Sequence, residues 1–248
     1  MYPADVRHAA QDLLSAGLSV SEVSRRLGVS RWAVRDWSRR PARTGVEMHC
    51  PRCGQGGDDL AAYAALLGYY LGDGCLSPAR RTVVLRISCD ATRLGIVGDV
   101  ERSVLGVRPD ATIHRVRGPG VLVVQSAWKH WPCLFPQHGP GRKHHRPIVL
   151  EPWQQAIVDA HPGDFLRGLF HSDGSRVANW ATRTVGGVRT RHDYPRWMFS
   201  NRSEDIMSLC TATLDAVGIA WRRPRSTCVA VSRAADVAAL EALIGLKR

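Results

Sequence analysis

The first apolar positions recur at helical spacing. VRHAAQDLLSAG, SVSEVSRRLG and SRWAVRDWSRR each place hydrophobic residues three or four apart, Ser19 and Ser30 stand where an N-cap belongs, and Gly17 and Gly28 stand where the preceding helix must stop. The pattern predicts three short helices over residues 5–40. Val23, Leu27, Val29 and Val34 would face one small core, leaving Arg31, Arg35, Arg39 and Arg40 outside. The stretch from Pro41 to Asp59 breaks the period and reads as a linker. From Leu60 onward, helical and alternating periods take turns. A helix at about 60–72 precedes the strand-like runs GCLS and TVVLRISC, a helix near 92–105, the runs ATIHRVR and VLVVQS, and a short helix near 127–134. The order then recurs: a helix at about 163–172, strands near 175–185 and 194–200, the helix SEDIMSLCTATLDAVG, strands AWRRP and TCVAVS, and the helix ADVAALEALIG. The prediction is therefore an α+β chain, a pseudo-twofold pair of αββαββα units behind a small all-α domain. Its divisions are residues 1–42, a linker at 43–59, a first unit at 60–138, a basic connector at 139–160 and a second unit at 161–248.

The first helices of the two units share a second pattern. AALLGYYLGDGCLS, residues 64–77, carries Ala64, Gly68 and Gly72 at helical spacing and stops at Asp73-Gly74; FLRGLFHSDGS, one hundred residues later, carries Gly168 and Ser172 and stops at Asp173-Gly174. Glycine inside a helix costs roughly 1 kcal/mol relative to alanine, so such a stripe needs a reason. Small residues four apart let two helix backbones approach closely, which would bring both C-terminal ends side by side with their aspartates. Two carboxylates beside two helix C-termini make a negative spot that a hard divalent cation answers with oxygen ligands, and such ions activate water at phosphodiesters.

Charge supplies the partner. The formal net charge is +12, and only Lys129, Lys143 and Lys247 of the 34 basic residues are lysines. Cations in that excess favour a polyanion, and arginine forks suit phosphate and guanine edges. No run approaches 18 apolar residues and the N-terminus lacks a basic-then-apolar order, so an intracellular protein with no membrane partner is predicted. Seven cysteines without a secretory signal argue for thiols rather than a disulfide framework.

LLGYYLGDG and LRGLFHSDG resemble the two motifs of single-chain LAGLIDADG homing endonucleases, and the αββαββα order over residues 60–246 agrees with that family. Leu71 and His171 depart from the motif at a position where the family often has Asp. The resemblance implies Mg²⁺-dependent double-strand DNA cleavage across the minor groove, leaving short 3′ overhangs, with sheets forming a saddle over the major groove. Carried over by position, the metal-binding acids are Asp73 and Asp173, and the carbonyls of Gly72 and Ser172 add metal ligands. Gln125 or Lys129 after the last strand of the first unit, and Arg233 after that of the second, are the candidates for the family's water-orienting and charge-steadying groups. The N-terminal segment LSVSEVSRRLGVSRWAVRDW is similar to the helix-turn-helix of resolvase-like and regulatory DNA-binding domains, with residues 30–39 as recognition helix and Arg31, Arg35 and Arg39 toward DNA; the bland alternative is a three-helix protein-contact unit.

Arg86, Arg176, Arg183, Arg189, Arg191 and Arg196 lie on predicted strands, and a hairpin over 176–200 turning at Gly186-Gly187 would project many of its arginines into a groove. Arg142, Lys143 and Arg146 of the connector are the expected phosphate contacts. HCPRCGQ has zinc-knuckle spacing through Cys50 and Cys53, with Cys133 and His138 as a second pair and His130 or Cys75 as rivals; reduced, non-ligating thiols are the alternative. Three functions stand open: a site-specific DNA endonuclease, a non-cutting DNA-binding regulator with the same domain pair, and an RNA-processing maturase. Both units in one polypeptide predict a monomer, cytoplasmic in a bacterium and on the nucleoid when bound to DNA.

Overall fold

The computed structural model describes residues 4–38 and 59–247, in two units divided between Asp58 and Asp59. The N-terminal unit has helices α1 (Ala4–Ser15), α2 (Val20–Leu27) and α3 (Arg31–Ser38). Ser19 caps α2 in a reciprocal box: its Oγ accepts from the Glu22 amide, and its own amide donates to Glu22 Oε2 at 2.8 Å. Gly28 ends that helix at φ +66°, the left-handed conformation a C-cap requires. Ala10, Val23, Val29 and Val34 form the buried core, with Leu27 packed at its edge, while Arg31 and Arg35 are exposed on α3. Arg39, Cys50 and Cys53 lie outside the described residues.

The second unit begins with α4 (Leu60–Asp73), which runs without a loop into β1 (Gly74–Ala79) and then β2 (Thr82–Asp90). Helix α5 (Leu94–Val107), strands β3 (Ile113–Gly118) and β4 (Val121–Ala127), and the single turn α6 (Trp131–Leu134) complete the first half. After α7 (Pro152–Ala160), helix α8 (Pro162–Asp173) again runs directly into a strand, β5 (Gly174–Val185). It is followed by β6 (Val188–Ser200), α9 (Glu204–Ala216), β7 (Arg222–Arg225), β8 (Cys228–Val231) and α10 (Ala234–Ile244). Each half contributes a four-stranded antiparallel sheet, in the orders β1-β2-β4-β3 and β5-β6-β8-β7. The repeat read from the sequence is thus present as matched topology.

Helix α4 is apolar all round because it is enclosed: residues 62–71 are all buried. It crosses α8 at the small-residue stripe. A Cβ added to Gly68 would sit 2.5 Å from the Phe165 carbonyl oxygen and 2.9 Å from Gly168 Cα, and one added to Gly168 would sit 2.7 Å from the Tyr69 amide. The two backbones therefore touch where no side chain fits.

Two elements differ from the sequence reading. The connector holds α7, whose start is fixed by a capping box between Glu151 and Gln154 with Pro152 in the first turn. Gln154 is fully buried and donates to Tyr63 Oη at 2.8 Å, so one face of this helix, with Ile157 and Val158, joins the interior. Strand β6 starts at Val188, six residues earlier than its hydrophobic part suggests. Gly186 and Gly187 have φ of +59° and +81°, the two left-handed positions of a tight hairpin turn. Because β8 pairs only with Trp197–Ser200, most of the β5–β6 hairpin projects beyond the sheet as a two-stranded ribbon.

Candidate active site at the paired helix ends

Because α4 and α8 cross at Gly68 and Gly168, their last turns emerge together. A Cβ on Gly72 would lie 2.8 Å from Ser172 Oγ and 3.3 Å from an Asp173 carboxylate oxygen. The glycine after each aspartate is required by the sharp passage into the strand, since a Cβ on Gly74 would meet Tyr70 Cα at 2.5 Å and one on Gly174 would meet Phe170 Cα at 2.8 Å. Sequence thus brings the ends of the two helices, with Asp73 and Asp173, side by side.

Two clefts flank the helix ends. One is lined by Asp173, Gly72, Lys143, Asn201 and His138; the other by Asp73, Ser172, Lys247, Asp90 and Arg93. Each therefore combines the acid of one half with a backbone segment of the other. Burial pushes the Asp173 carboxyl up to about 6 and the neighbouring Asp73 charge adds to the rise, against a 2.6 Å hydrogen bond from Asn201 Nδ2 and the lysines. Asp73, more exposed than Asp173, is also raised by burial, with Lys143 and Lys247 opposing.

The lysines cap the helices. Lys143 Nζ donates to the carbonyls of Tyr70, Leu71 (3.0 Å) and Gly72 (2.9 Å); Lys247 Nζ donates to those of Phe170 (3.5 Å), Ser172 (3.0 Å) and Gly174 (2.6 Å). Burial lowers both, Lys143 to about 8. Lys143, expected on phosphate, is turned inward instead, because the last turn of α4 offers converging carbonyls and a negative dipole end. Lys247 escaped sequence reasoning; a lysine placed after the last helix in an arginine-dominated chain was the available signal.

A pH effect follows from Asp173. Its folded pKa, about 6, lies above the ordinary 3.8, so the folded state holds the proton more tightly than the unfolded chain. That contribution to stability is complete below about pH 3.8 and is lost as pH rises through 6. The Asp173→Asn variant should gain melting temperature over the wild type progressively from pH 4 to 7; a difference constant across that range would contradict the assignment.

The remaining candidates are scattered. Gln125 stands in one cross-strand row with Cys75, Arg86 and His114, on the sheet face opposite buried Leu85 and Ile87. Lys129 is exposed, and Arg233 is exposed and paired with Asp236 at 3.2 Å; neither they nor Gln125 line the two clefts. The hairpin arginines divide by pleat. Arg183 and Arg196 share the open face with Asn179, whereas Arg176, Arg189 and Arg191 lie on the face of buried Trp197. Arg176 is held by Glu241, and Arg191 by Asp193 and the Trp180 ring. In the connector Arg142 is exposed, but Arg146 donates to the carbonyls of Gln137 and Gly141 and ties down its own loop. Cys133 is half-buried and His138 exposed; among the described residues no three His, Cys, Asp or Glu side chains are grouped to hold a metal. No described helix is long and apolar enough to cross a membrane.

No protein-family model and no curated protein matches the chain. Among solved structures it is similar to the LAGLIDADG meganuclease I-AabMI bound to uncleaved DNA, with 13% identity over 73% of this chain and 82% of that one and a TM-score of 0.46. It is also similar to I-DmoI in complex with DNA and Ca (14% identity, 75% and 90% covered, TM-score 0.46) and to I-DmoI with DNA and Mn (12% identity, 75% and 98% covered, TM-score 0.46).

Proposed function

We propose that the protein is a site-specific endonuclease of double-stranded DNA that acts as a monomer, cutting both strands at the Asp73–Asp173 pair. The observation that carries this reading is the crossing of α4 and α8, which brings the two helix ends together so that two flanking clefts each combine one half's carboxylate with the other half's helix-end residue, in a strongly basic chain. All four donors are hard oxygens, and the buried Ser172 Oγ has no protein partner, so the set fits a hard divalent cation such as Mg²⁺ that keeps part of its water shell. Bound there, the ion would supply an activated water and charge stabilisation for the departing oxygen. Asp73 and Asp173 would hold it, with the Gly72 and Ser172 carbonyls as further ligands once released from the lysines. Arg86, Arg142, Arg183 and Arg196 would bind phosphates and base edges, and Arg31 and Arg35 on α3 would add affinity from the N-terminal unit. Phosphates facing each other across the minor groove are offset, so cutting both there leaves short 3′ overhangs.

The test is incubation with a randomised duplex pool in Mg²⁺ followed by sequencing of new ends. Discrete ends absent with Asp73→Asn or Asp173→Asn support the reading; intact DNA despite tight binding supports a non-cutting regulator. One observation favours that second reading: Lys143 and Lys247 already compensate the acids, so the carboxylates need no metal to coexist with DNA. The arginines make a further prediction. Arg86→Gln and Arg183→Gln should each reduce the slope of log K against log salt by about 0.9, while Arg176→Gln, losing only Glu241, leaves the slope unchanged. Salt titrations of DNA binding check this.

A further inference from the structure

We infer that Lys143 and Lys247 are paired tethered cations that occupy the carbonyl half of each cleft and compete with a divalent metal for it. The inference rests on the metal-site reading above and deepens it. Two of the chain's three lysines converge on equivalent places: Lys143 follows Asp73 by 70 residues, Lys247 follows Asp173 by 74, and each lies beyond the last helix of its half. Each reaches back to the final turn of its own half's motif helix. Their oxygen partners include the Gly72 and Ser172 carbonyls, the same atoms that would face an ion held by the acids.

The choice of lysine in a chain otherwise built with arginine is chemical. A compact ammonium with three diverging donors matches three carbonyls of one helix end, whereas a planar guanidinium does not. Lys143 engages three carbonyls and Lys247 another three. Each lysine also shares its cleft with the opposite half's acid, Lys143 with Asp173 and Lys247 with Asp73. An ammonium and a divalent ion cannot both sit against one carbonyl and one carboxylate, because their repulsion at contact distance, modest in bulk water, grows several-fold at a half-buried site. Metal loading therefore requires the lysine to leave.

A plain helix cap would support stability and nothing else, so metal binding separates the two roles. Free Mn²⁺ is titrated by electron paramagnetic resonance against the full-length protein without DNA, using wild type, Lys143→Met, Lys143→Gln, Lys247→Met and Lys247→Gln; glutamine keeps a donor for the carbonyls but no charge. Each variant should bind Mn²⁺ at least about tenfold more tightly than wild type. Adding Asp173→Asn to Lys143→Gln, or Asp73→Asn to Lys247→Gln, should abolish the gain. Folded variants, checked by circular dichroism, whose affinity is unchanged or weaker overturn the competition and leave the metal-site reading standing. Absence of Mn²⁺ binding in every protein overturns the metal-site reading and this inference with it.

Discussion

Gly168→Val is expected to unfold the second unit at moderate temperature. The Cβ alone would stand 2.7 Å from the Tyr69 amide and 2.9 Å from Gly68 Cα. Both obstacles are backbone, so no side-chain rotation relieves them, and α4 would have to move away from α8. That displacement would open the packing around Tyr69, Leu66 and Leu169, all buried. Overpacking of this kind costs about 3 kcal/mol or more, a large part of the 5–15 kcal/mol that typically stabilises a domain. The melting temperature should fall by roughly 10 °C. Gly98→Ala in α5 is the control: its Cβ would meet only the end of the Arg102 side chain at 3.4 Å, and the helix should gain up to about 1 kcal/mol. Equal effects at the two positions would contradict the backbone contact.

The second large effect concerns the acids. Asp73→Asn and Asp173→Asn should each reduce DNA cleavage at least about a thousandfold, equivalent to roughly 4 kcal/mol of lost transition-state stabilisation. The change is nearly isosteric, and Asn201 can still bond a carboxamide oxygen at position 173, so the fold should survive. DNA affinity without metal should hold or rise, because a negative charge is removed beside the phosphates. Cleavage and filter-binding assays on the same preparations separate the two outcomes; variants that cut normally would reduce the aspartates to helix ends.

The helix crossing was legible because its signal is chemical as well as periodic: glycine in a helix interior is costly, and repeating Ala64, Gly68 and Gly72 against Gly168 and Ser172 leaves close packing as the explanation. Helix α7 was hidden by the basic Gly- and Pro-rich residues just before it, although PWQQAIVDA has a proline start and a capping glutamate. Arginine composition said that the β5–β6 ribbon was cationic, yet its face was set by parity, which puts Arg183 and Arg196 on one side and Arg176, Arg189 and Arg191 on the other. The lysines were least legible. Nothing local to Lys143 or Lys247 announces that helix ends 70 and 74 residues upstream will receive them. That pairing exists only once the chain has folded back on itself.

The most direct test of the account is strand-resolved end mapping on a duplex selected by the protein itself. In Mg²⁺, the wild-type chain should give one discrete cut in each strand, offset to leave a short 3′ overhang, with both cuts lost in the double variant Asp73→Asn/Asp173→Asn. Duplex that stays intact at saturating protein in either Mg²⁺ or Mn²⁺ would contradict the endonuclease and leave a DNA-binding protein whose acids are neutralised by its own lysines.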